Sequence, residues 1–122
     1  EVVLVAYGTA ARVARTAVER AREQGLRAGL FRPITLWPFP ADGLREVARG
    51  ARAVLVVEMS SGQMVEDVRL TLDGSVPVLL HARMGGSIPT PDEVVAAARQ
   101  SLTVTAPGGP VRVVRTSAGV GR

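Results

Sequence analysis

Four short apolar runs alternate with stretches of helical periodicity, and this order constrains the fold more than any other feature of the chain. The runs are VVLVAYG (2–8), LRAGLFRPI (26–34), AVLVVEM (53–59) and VPVLLHA (76–82). They are continuous and rich in β-branched residues, which is typical of strands that are buried on both faces. Strands that alternate with helices in this way predict a mainly parallel sheet of four to five strands in a three-layer α/β/α fold.

Each apolar run is followed by a segment in which apolar residues recur at helical spacing. The predicted helices cover residues 10–24, 41–50, 63–72 and 91–102. Thr9 is the expected N-cap of the first helix, and Gly25 is its expected C-terminal stop. In the short second helix, Val47 is expected to face the core. Thr90 to Glu93 has the form of a capping box, with proline at the first helical position.

The last twenty residues differ in character from the rest of the chain. The segment TVTAPGGPVRVVRTSAGVGR is rich in Gly, Pro and Ser, although VRVV within it could form an added edge strand. The chain also opens with Glu1 and enters its first apolar run at once, without a methionine, which is typical of a piece of a longer protein or of a processed terminus. We therefore expect an α/β domain over residues 1–102, from a longer chain, and a tail over 103–122 that is either flexible or adds an edge strand.

The charge of the chain does not predict nucleic-acid binding. The formal net charge is +4 and the isoelectric point is about 11.2, but three of the four net charges come from Arg112, Arg115 and Arg122. The body of the chain is nearly neutral with interleaved signs, which is typical of a solvated surface. No apolar run reaches the roughly 18–20 residues of a membrane helix, and no signal peptide is visible. We expect neither a nucleic-acid nor a membrane partner, and a cytoplasmic location.

Missing residue types exclude several kinds of chemistry. The chain has no cysteine, which excludes disulfides, thiolate zinc sites and any iron–sulfur cluster held by this chain. All 15 basic residues are arginine, so a Schiff-base lysine and a P-loop lysine are also excluded. The single histidine, His81, lies in an apolar run and is expected to be structural. We therefore expect no metal site and no catalytic residue in this chain.

The candidate ligand or interface residues lie in the loops that follow the predicted strands. In open α/β sheets, ligands and partners meet the carboxyl ends of the strands. The loops here are YGTA, TLWPFP, EMSSGQM and RMGGSIP. The residues that we expect at this edge are Gly8, Thr9, Trp37, Glu58, Ser60, Ser61, Gly62, Gln63, Arg83, Gly85 and Gly86.

The segment EMSSGQM (58–64) has two interpretations. Ser60 and Gln63 match a capping box, in which the hydroxyl accepts from one backbone N–H and the amide reaches back to another. Alternatively, the free N–H groups and the dipole of the helix hold an anion, with Gly62 allowing close approach, although Glu58 would repel such an anion. Glu58 as a general base would need an acid or a nucleophile nearby, and the sequence supplies neither.

The other loops also lack a complete catalytic signature. WPFP places two aromatic residues between prolines, as either a core plug or an interface anchor. RMGG is expected to be a turn with positive φ rather than a phosphate loop. A triad of Ser60 or Ser61 with His81 and an acid is weak because SSGQ is not a G-x-S-x-G elbow. YGTA is not a dinucleotide fingerprint. Polar loop ends without a self-sufficient catalytic set indicate a partial unit.

Three blocks of the sequence together resemble the α subunit of 2-oxoacid:ferredoxin oxidoreductases. The blocks are VVLVAYGTAARVARTAVERAREQGLRAGLFRPITLWPFP, VLVVEMSSGQMVEDVRL and ARMGGSIPTPDEV, which occur in the family's order. The resemblance covers residues 2 to about 98 and is to the C-terminal domain of that subunit. That domain is similar to the transketolase C-terminal domain, so the resemblance implies the same fold here.

The resemblance implies an enzyme that decarboxylates a 2-oxoacid, reduces ferredoxin and releases acyl-CoA. The block RMGGSIPTP is similar to that of the 2-oxoglutarate or branched-chain 2-oxoacid versions, and 2-oxoglutarate is the expected substrate. It implies thiamine diphosphate, Mg²⁺, an iron–sulfur cluster and CoA in the whole enzyme, none of them bound by this chain. The implied partners are the N-terminal domain of the same subunit, the β subunit and, indirectly, ferredoxin. The chain would then be inactive alone and would serve assembly. The alternative is a small α/β module that binds an anionic ligand such as CoA or a nucleotide.

Overall fold

The fold alternates strands and helices throughout, and the computed structural model describes it over residues 1–33, 39–58, 63–82, 89–103 and 112–113. The elements in chain order are β1 (Val2–Ala6), α1 (Thr9–Glu23), β2 (Ala28–Phe31), α2 (Ala41–Ala48), β3 (Ala53–Glu58), α3 (Gln63–Leu72), β4 (Val78–Ala82), α4 (Pro91–Ser101) and β5 (Arg112–Val113). Within these described residues, no helix is long and apolar enough to cross a membrane.

The strands form one sheet in the order β2-β1-β3-β4-β5. Each pair of neighbouring strands is parallel. The chain passes from β1 to β2 on one side and then crosses to β3 on the other side of β1. This reversal puts a topological switch point between β1 and β3, where open α/β sheets place their ligands. The predicted fold class is confirmed.

The helices cover both faces of the sheet, because alternate side chains of each central strand point to opposite faces. From β1, Leu4 and Ala6 join the core layer beneath α1 and α4, whereas Val3 and Val5 join the layer beneath α2 and α3. All residues of β1 and β3 are buried. Fully burying one such aliphatic side chain stabilises the fold by about 1.5–3 kcal/mol. In a chain with only 3% aromatic residues, the Leu and Val side chains of the strands supply most of the large buried side chains of the core.

Helix α1 packs on the sheet through a face that is almost entirely alanine. Its buried residues are Ala10, Ala11, Ala14, Ala17, Val18 and Ala21. The helix also contacts α4, where Arg20 pairs with Asp92 at 2.8 Å and the Arg99 guanidinium donates to the side-chain oxygen of Gln24. Small side chains on α1 leave the interior volume to the larger residues of the strands.

Two strands begin later than the sequence predicts. The predicted second strand starts at Leu26, but the Leu26 N–H donates to the Ala21 carbonyl at 2.9 Å and so belongs to the end of α1. Similarly, β4 begins at Val78 rather than Val76, because Pro77 has no N–H for the ladder. The carbonyl of Pro77 still accepts from the Val54 N–H at 2.9 Å.

The predicted helix ends are partly confirmed. Gly25 follows the end of α1 with φ of 87°, as a C-terminal stop requires. The prediction of Thr9 as N-cap is wrong: α1 begins at Thr9, and its N-cap is Gly8 with φ of 65°. Only glycine adopts that conformation readily, so the chain turns one residue earlier than the threonine suggested.

The predicted capping box of α4 is confirmed. The predicted inward orientation of one α2 residue, Val47, is wrong. The Glu93 N–H donates to Thr90 Oγ1 at 3.1 Å, and the Thr90 N–H donates to Glu93 Oε1 at 2.9 Å. In α2, Leu44 and Ala48 are buried, but Val47 is 43% exposed. Successive helical residues differ by about 100° around the axis, which turns Val47 away from the face shared by its neighbours.

Strand β5 adds two residues beside β4. Arg112 lies opposite Leu79, and Val113 lies opposite Leu80, in a parallel arrangement. These are residues of the VRVV segment that the sequence marked as a possible edge strand.

Candidate functional site

The carboxyl ends of β1 and β3 lie side by side at the switch point. Ala6 is in register with Val57, so the chain leaves β1 at Tyr7 next to the last residue of β3, Glu58. Glu58 is in turn in register with Ala82, at the end of β4. Three strands therefore end together, and the described candidates Gly8, Thr9 and Glu58 belong to one edge of the sheet.

Most of the other sequence candidates lie outside the described residues. They are Trp37, Ser60, Ser61, Gly62, Arg83, Gly85 and Gly86. Gln63 begins α3, but its side chain is not described. The hypotheses of a capping box at Ser60, of Trp37 as an anchor and of a glycine turn in RMGG therefore stay predictions. Phe39, the second aromatic of WPFP, is described: it is half-buried and packs against the core layer beneath α2 and α3, as a core plug would.

Glu58 connects the end of β3 to the start of α3. Its Oε1 accepts from the Met64 N–H at 3.2 Å, and its Oε2 accepts from the Val65 N–H at 2.9 Å. Glu58 is only 6% exposed. Both oxygens act as acceptors, which is the role of an ionised carboxylate. A helix N-terminus favours an anion, and here the chain supplies the anion itself.

This arrangement limits the chemistry open to Glu58. Burial of a carboxylate is costly unless hydrogen bonds compensate it, and bonds from N–H donors to a charged acceptor are among the stronger ones in proteins. Both oxygens of Glu58 already accept backbone N–H groups and the side chain is buried, which suits this residue to holding the helix more than to exchanging protons. The geometry favours a structural task for this carboxylate.

Sequence reasoning missed the partners of Glu58. It placed the cap of α3 at Ser60 and treated Glu58 as a charge that repels anions from the helix. The available signal was a carboxylate as the last residue of a buried strand, with only residues 59–62 between it and the next helix. So short a connection keeps a strand-end side chain within reach of the first helical turn.

The start of α1 has a different arrangement at the same edge. Its N-cap is Gly8, and within the described part of the chain no side chain caps this helix. Its first turn also contains no acidic residue. Gly8 and Thr9 are exposed, and Tyr7 is 47% exposed. Among the described residues, no side chain accepts from the first N–H groups of α1; the Ala11 N–H donates to the Gly8 carbonyl at 3.0 Å.

Two open cavities lie at the opposite, amino edge of the sheet. One, of about 510 Å³, is lined by residues including Glu1, Arg22 and Gly25. The other, of about 570 Å³, lies between the ends of α2 and α3. Two of the arginines have partners within the chain: Arg22 Nε donates to the Ala28 carbonyl at 2.8 Å, and Arg45 pairs with Asp42 at 2.9 Å.

The described residues do not form a metal centre. Across the ranges that the structure covers, no three His, Cys, Asp or Glu side chains are close enough to hold a metal ion. The whole chain has no cysteine to bind an iron–sulfur cluster. His81 is buried at 5% within β4, the environment expected for a structural histidine.

The fold and the sequence are those of a domain from a known family of oxidoreductases. Residues 1–94 match the family model of the pyruvate:ferredoxin oxidoreductase core domain II. The match covers more than half of the chain, and the chain belongs to this family. The resemblance drawn from the three sequence blocks is confirmed.

Two curated relatives of this chain are oxidoreductase subunits from Methanothermobacter species. The ketoisovalerate oxidoreductase subunit VorB of Methanothermobacter thermautotrophicus is 56% identical over 88 residues, which are 72% of this chain and 25% of that protein. The 2-oxoglutarate synthase subunit KorA of Methanothermobacter marburgensis is 41% identical over 95 residues, which are 78% of this chain and 25% of that protein. The chain thus spans about a quarter of the length of these curated relatives.

Two solved structures share the fold. A 2-oxoglutarate:ferredoxin oxidoreductase from Magnetococcus marinus, with 2-oxoglutarate, coenzyme A and succinyl-CoA bound, has a TM-score of 0.75 and 24% identity, covering 84% of this chain and 18% of that chain. A transketolase from a split gene, an inactive β4 tetramer, has a TM-score of 0.74 and 24% identity, covering 84% of this chain and 39% of that chain. The transketolase-like fold is confirmed.

Proposed function

We propose that this chain is the C-terminal domain of the α subunit of a 2-oxoacid:ferredoxin oxidoreductase. The observation that carries the proposal is the family match over residues 1–94, together with relatives that are oxidoreductase subunits. The whole enzyme would convert a 2-oxoacid and CoA to acyl-CoA and CO₂. The two electrons released in this reaction would pass to ferredoxin.

The cofactors of that reaction would be bound outside this domain. The reaction requires thiamine diphosphate with Mg²⁺, an iron–sulfur cluster and CoA in the whole enzyme. This chain has no cysteine for a cluster, and the part of it with described coordinates offers no group of three metal-ligating side chains. A chain without cysteine cannot hold the iron–sulfur cluster, and the described residues offer no metal centre, which supports a domain that works beside these sites.

The role that we propose for this domain is assembly. Glu58, the described carboxylate at the switch point, is committed to two backbone N–H groups and is poorly placed for proton transfer. The exposed corner around Tyr7 and Gly8 is suited to contact with a neighbouring domain. The proposed neighbours are the N-terminal domain of the same subunit and the β subunit, with ferredoxin as an indirect partner and the cytoplasm as the location.

Two substrates are candidates for the whole enzyme. The block RMGGSIPTP is similar to the 2-oxoglutarate and branched-chain versions of the enzyme, and 2-oxoglutarate is the 2-oxoacid in the name of the 41% identical relative. The 56% identical relative is named for ketoisovalerate, a branched-chain 2-oxoacid. We propose 2-oxoglutarate as the first substrate to test and ketoisovalerate as the second.

The experiment compares the 122-residue chain with the assembled oxidoreductase that carries it. Each is mixed with CoA, ferredoxin and either 2-oxoglutarate or ketoisovalerate, and reduction of ferredoxin is followed. The assembled enzyme should turn over one of the two substrates with the higher kcat/KM, and the chain alone should be inactive. Turnover by the chain alone would overturn the assembly role. An assembled enzyme that is inactive with both acids would overturn the proposed substrates.

A second candidate function is an α/β module that binds a small anion such as CoA or a nucleotide. The exposed N-terminus of α1 at the switch point favours this alternative. Titration calorimetry of the chain with CoA, nucleotides and phosphate tests it. The absence of a binding signal with all of these ligands would exclude the alternative.

A further inference from the structure

The carboxylate of Glu58 occupies the position that an external anion would take at the start of α3. It accepts two backbone N–H groups of the first helical turn, at 3.2 and 2.9 Å. These donors belong to Met64 and Val65, whose exposures are only 3% and 4%. The carboxylate and its donors are thus enclosed together between the end of β3 and the start of α3.

We infer that Glu58 is a positioning residue whose carboxylate is the built-in anion of α3: it fixes the first turn of α3 to the end of β3 and keeps external anions out of this corner. Because Glu58 belongs to β3, its hydrogen bonds connect β3 to α3, whereas a dissolved anion would satisfy the same donors without connecting them. Glu58 would have this role whichever substrate the whole enzyme uses.

The geometry supports this role over that of an ordinary helix cap. A usual N-cap residue lies directly before the helix and satisfies one backbone donor. Glu58 lies five positions before the start of α3, belongs to β3 and satisfies two donors. Its hydrogen bonds therefore set the position of the helix relative to the sheet. The backbone of Glu58 is in register with Ala82 of β4, so the residue that carries the carboxylate is itself fixed in the sheet.

Removal of the carboxylate should convert this corner into a site for small carboxylates. In Glu58→Ala, the two enclosed N–H donors lose their acceptors, and a space the size of the missing side chain opens in front of them. Formate or acetate fits the same donors and the same charge. Formamide has a similar size but no charge, so it should not replace the Glu58 carboxylate.

The test is chemical rescue of the full 122-residue chain, measured by thermal unfolding. Glu58→Ala should have a lower Tm than the wild type. Replacing chloride by formate at constant ionic strength should raise the Tm of Glu58→Ala by several degrees, whereas formamide should not. The wild-type Tm should not respond to formate beyond the general effect of salt.

Glu66→Ala is the matched control. Glu66 lies in the first turn of the same helix, but its side chain is 59% exposed and pairs with Arg69 at 2.8 Å. Its removal takes away an acid without emptying the enclosed corner, so formate should not raise the Tm of this variant. Equal responses of Glu58→Ala and Glu66→Ala to formate would overturn the inference.

Glu58→Gln covers the case in which Glu58→Ala does not fold. The amide keeps the size of the side chain but offers only one acceptor oxygen to the two donors. Amide hydrogen exchange at Met64 and Val65 should be at least several-fold faster in Glu58→Gln than in the wild type. Unchanged exchange at both positions would show that the carboxylate does not hold this turn.

Discussion

The two helix N-termini beside the switch point differ in how their backbone donors are satisfied. At α3, the buried carboxylate of Glu58 accepts two N–H groups. At α1, the N-cap is Gly8, and none of the described side chains caps the helix. The two corners arise from neighbouring strands with the same parallel register, so the difference comes from single residues at the strand ends.

This difference separates a corner that stabilises the domain from one that is available for contact. At the α3 corner, the carboxylate of Glu58 and its two N–H donors are buried together. The α1 corner is exposed around Tyr7 and Gly8, and its helix dipole has no acidic residue in the first turn. In the proposed enzyme, the α1 corner is therefore the one with backbone donors to offer to a neighbouring domain.

Replacing Glu58 should have the largest effect on this comparison. Glu58→Ala removes the acceptor of two buried donors, and each hydrogen bond to a charged group contributes about 1.5–3 kcal/mol. We expect the free energy of unfolding to fall by about 3 kcal/mol, because the lost contributions are not fully additive. Urea unfolding followed by circular dichroism measures this loss. A loss of less than about 1 kcal/mol would mean that the two corners are energetically alike.

Replacing Gly8 should have the next largest effect. An alanine Cβ would meet no described atom within 4 Å, yet φ of 65° is strained for any residue with a Cβ. We expect Gly8→Ala to lower the free energy of unfolding by about 1–2 kcal/mol. Gly29→Ala is the control, since its Cβ also meets no described atom within 4 Å and its φ is not positive. Equal urea midpoints for the two variants would contradict the backbone explanation.

Replacing Thr90 tests the third helix start at this edge. The Thr90 hydroxyl accepts from the Glu93 N–H at 3.1 Å. Loss of such a cap costs about 1 kcal/mol. We expect Thr90→Ala to shift the urea midpoint accordingly, and Thr90→Ser to restore most of the loss. If Thr90→Ser were as unstable as Thr90→Ala, the hydroxyl would not be the stabilising group.

Replacing Thr9 should have the smallest effect. Because Gly8 is the N-cap, Thr9 is the first exposed residue of α1 and does not have the position of a cap. Alanine has the higher helix propensity, so we expect Thr9→Ala to change stability by less than about 0.5 kcal/mol. Thermal unfolding beside Thr90→Ala makes the comparison direct. A loss as large as that of Thr90→Ala would restore Thr9 as a cap.

The fold was predictable from the sequence because the relevant signals are local. The run Ala53 to Val57 has the continuous apolar character of a buried strand, and Met64, Val65, Val68 and Leu72 mark the buried face of α3. The capping box at Thr90 is likewise contained in four consecutive residues. Such patterns depend on periodicity and composition, which the sequence states directly.

The site was harder to predict because its contacts depend on how separate elements meet. The partners of Glu58 follow from the path of the chain between β3 and α3, not from a sequence motif. The role of Gly8 depends on a φ angle that sequence does not give, and Thr9 offered a more familiar cap. In α2, the exposure of Val47 depends on how the helix is rotated against its neighbours. These features come from tertiary geometry.

The alanine face of α1 has a consequence for the tolerance of this domain to mutation. Its buried alanines have almost no side chain to lose, so every substitution there except glycine enlarges the side chain. Overpacking of this kind costs about 1–3 kcal/mol. Large strand residues such as Leu4 and Leu55 are vulnerable in the opposite direction, since truncation to alanine leaves a cavity and costs about 2–5 kcal/mol. Buried positions of α1 therefore tolerate only small residues, whereas buried positions of the strands require large ones.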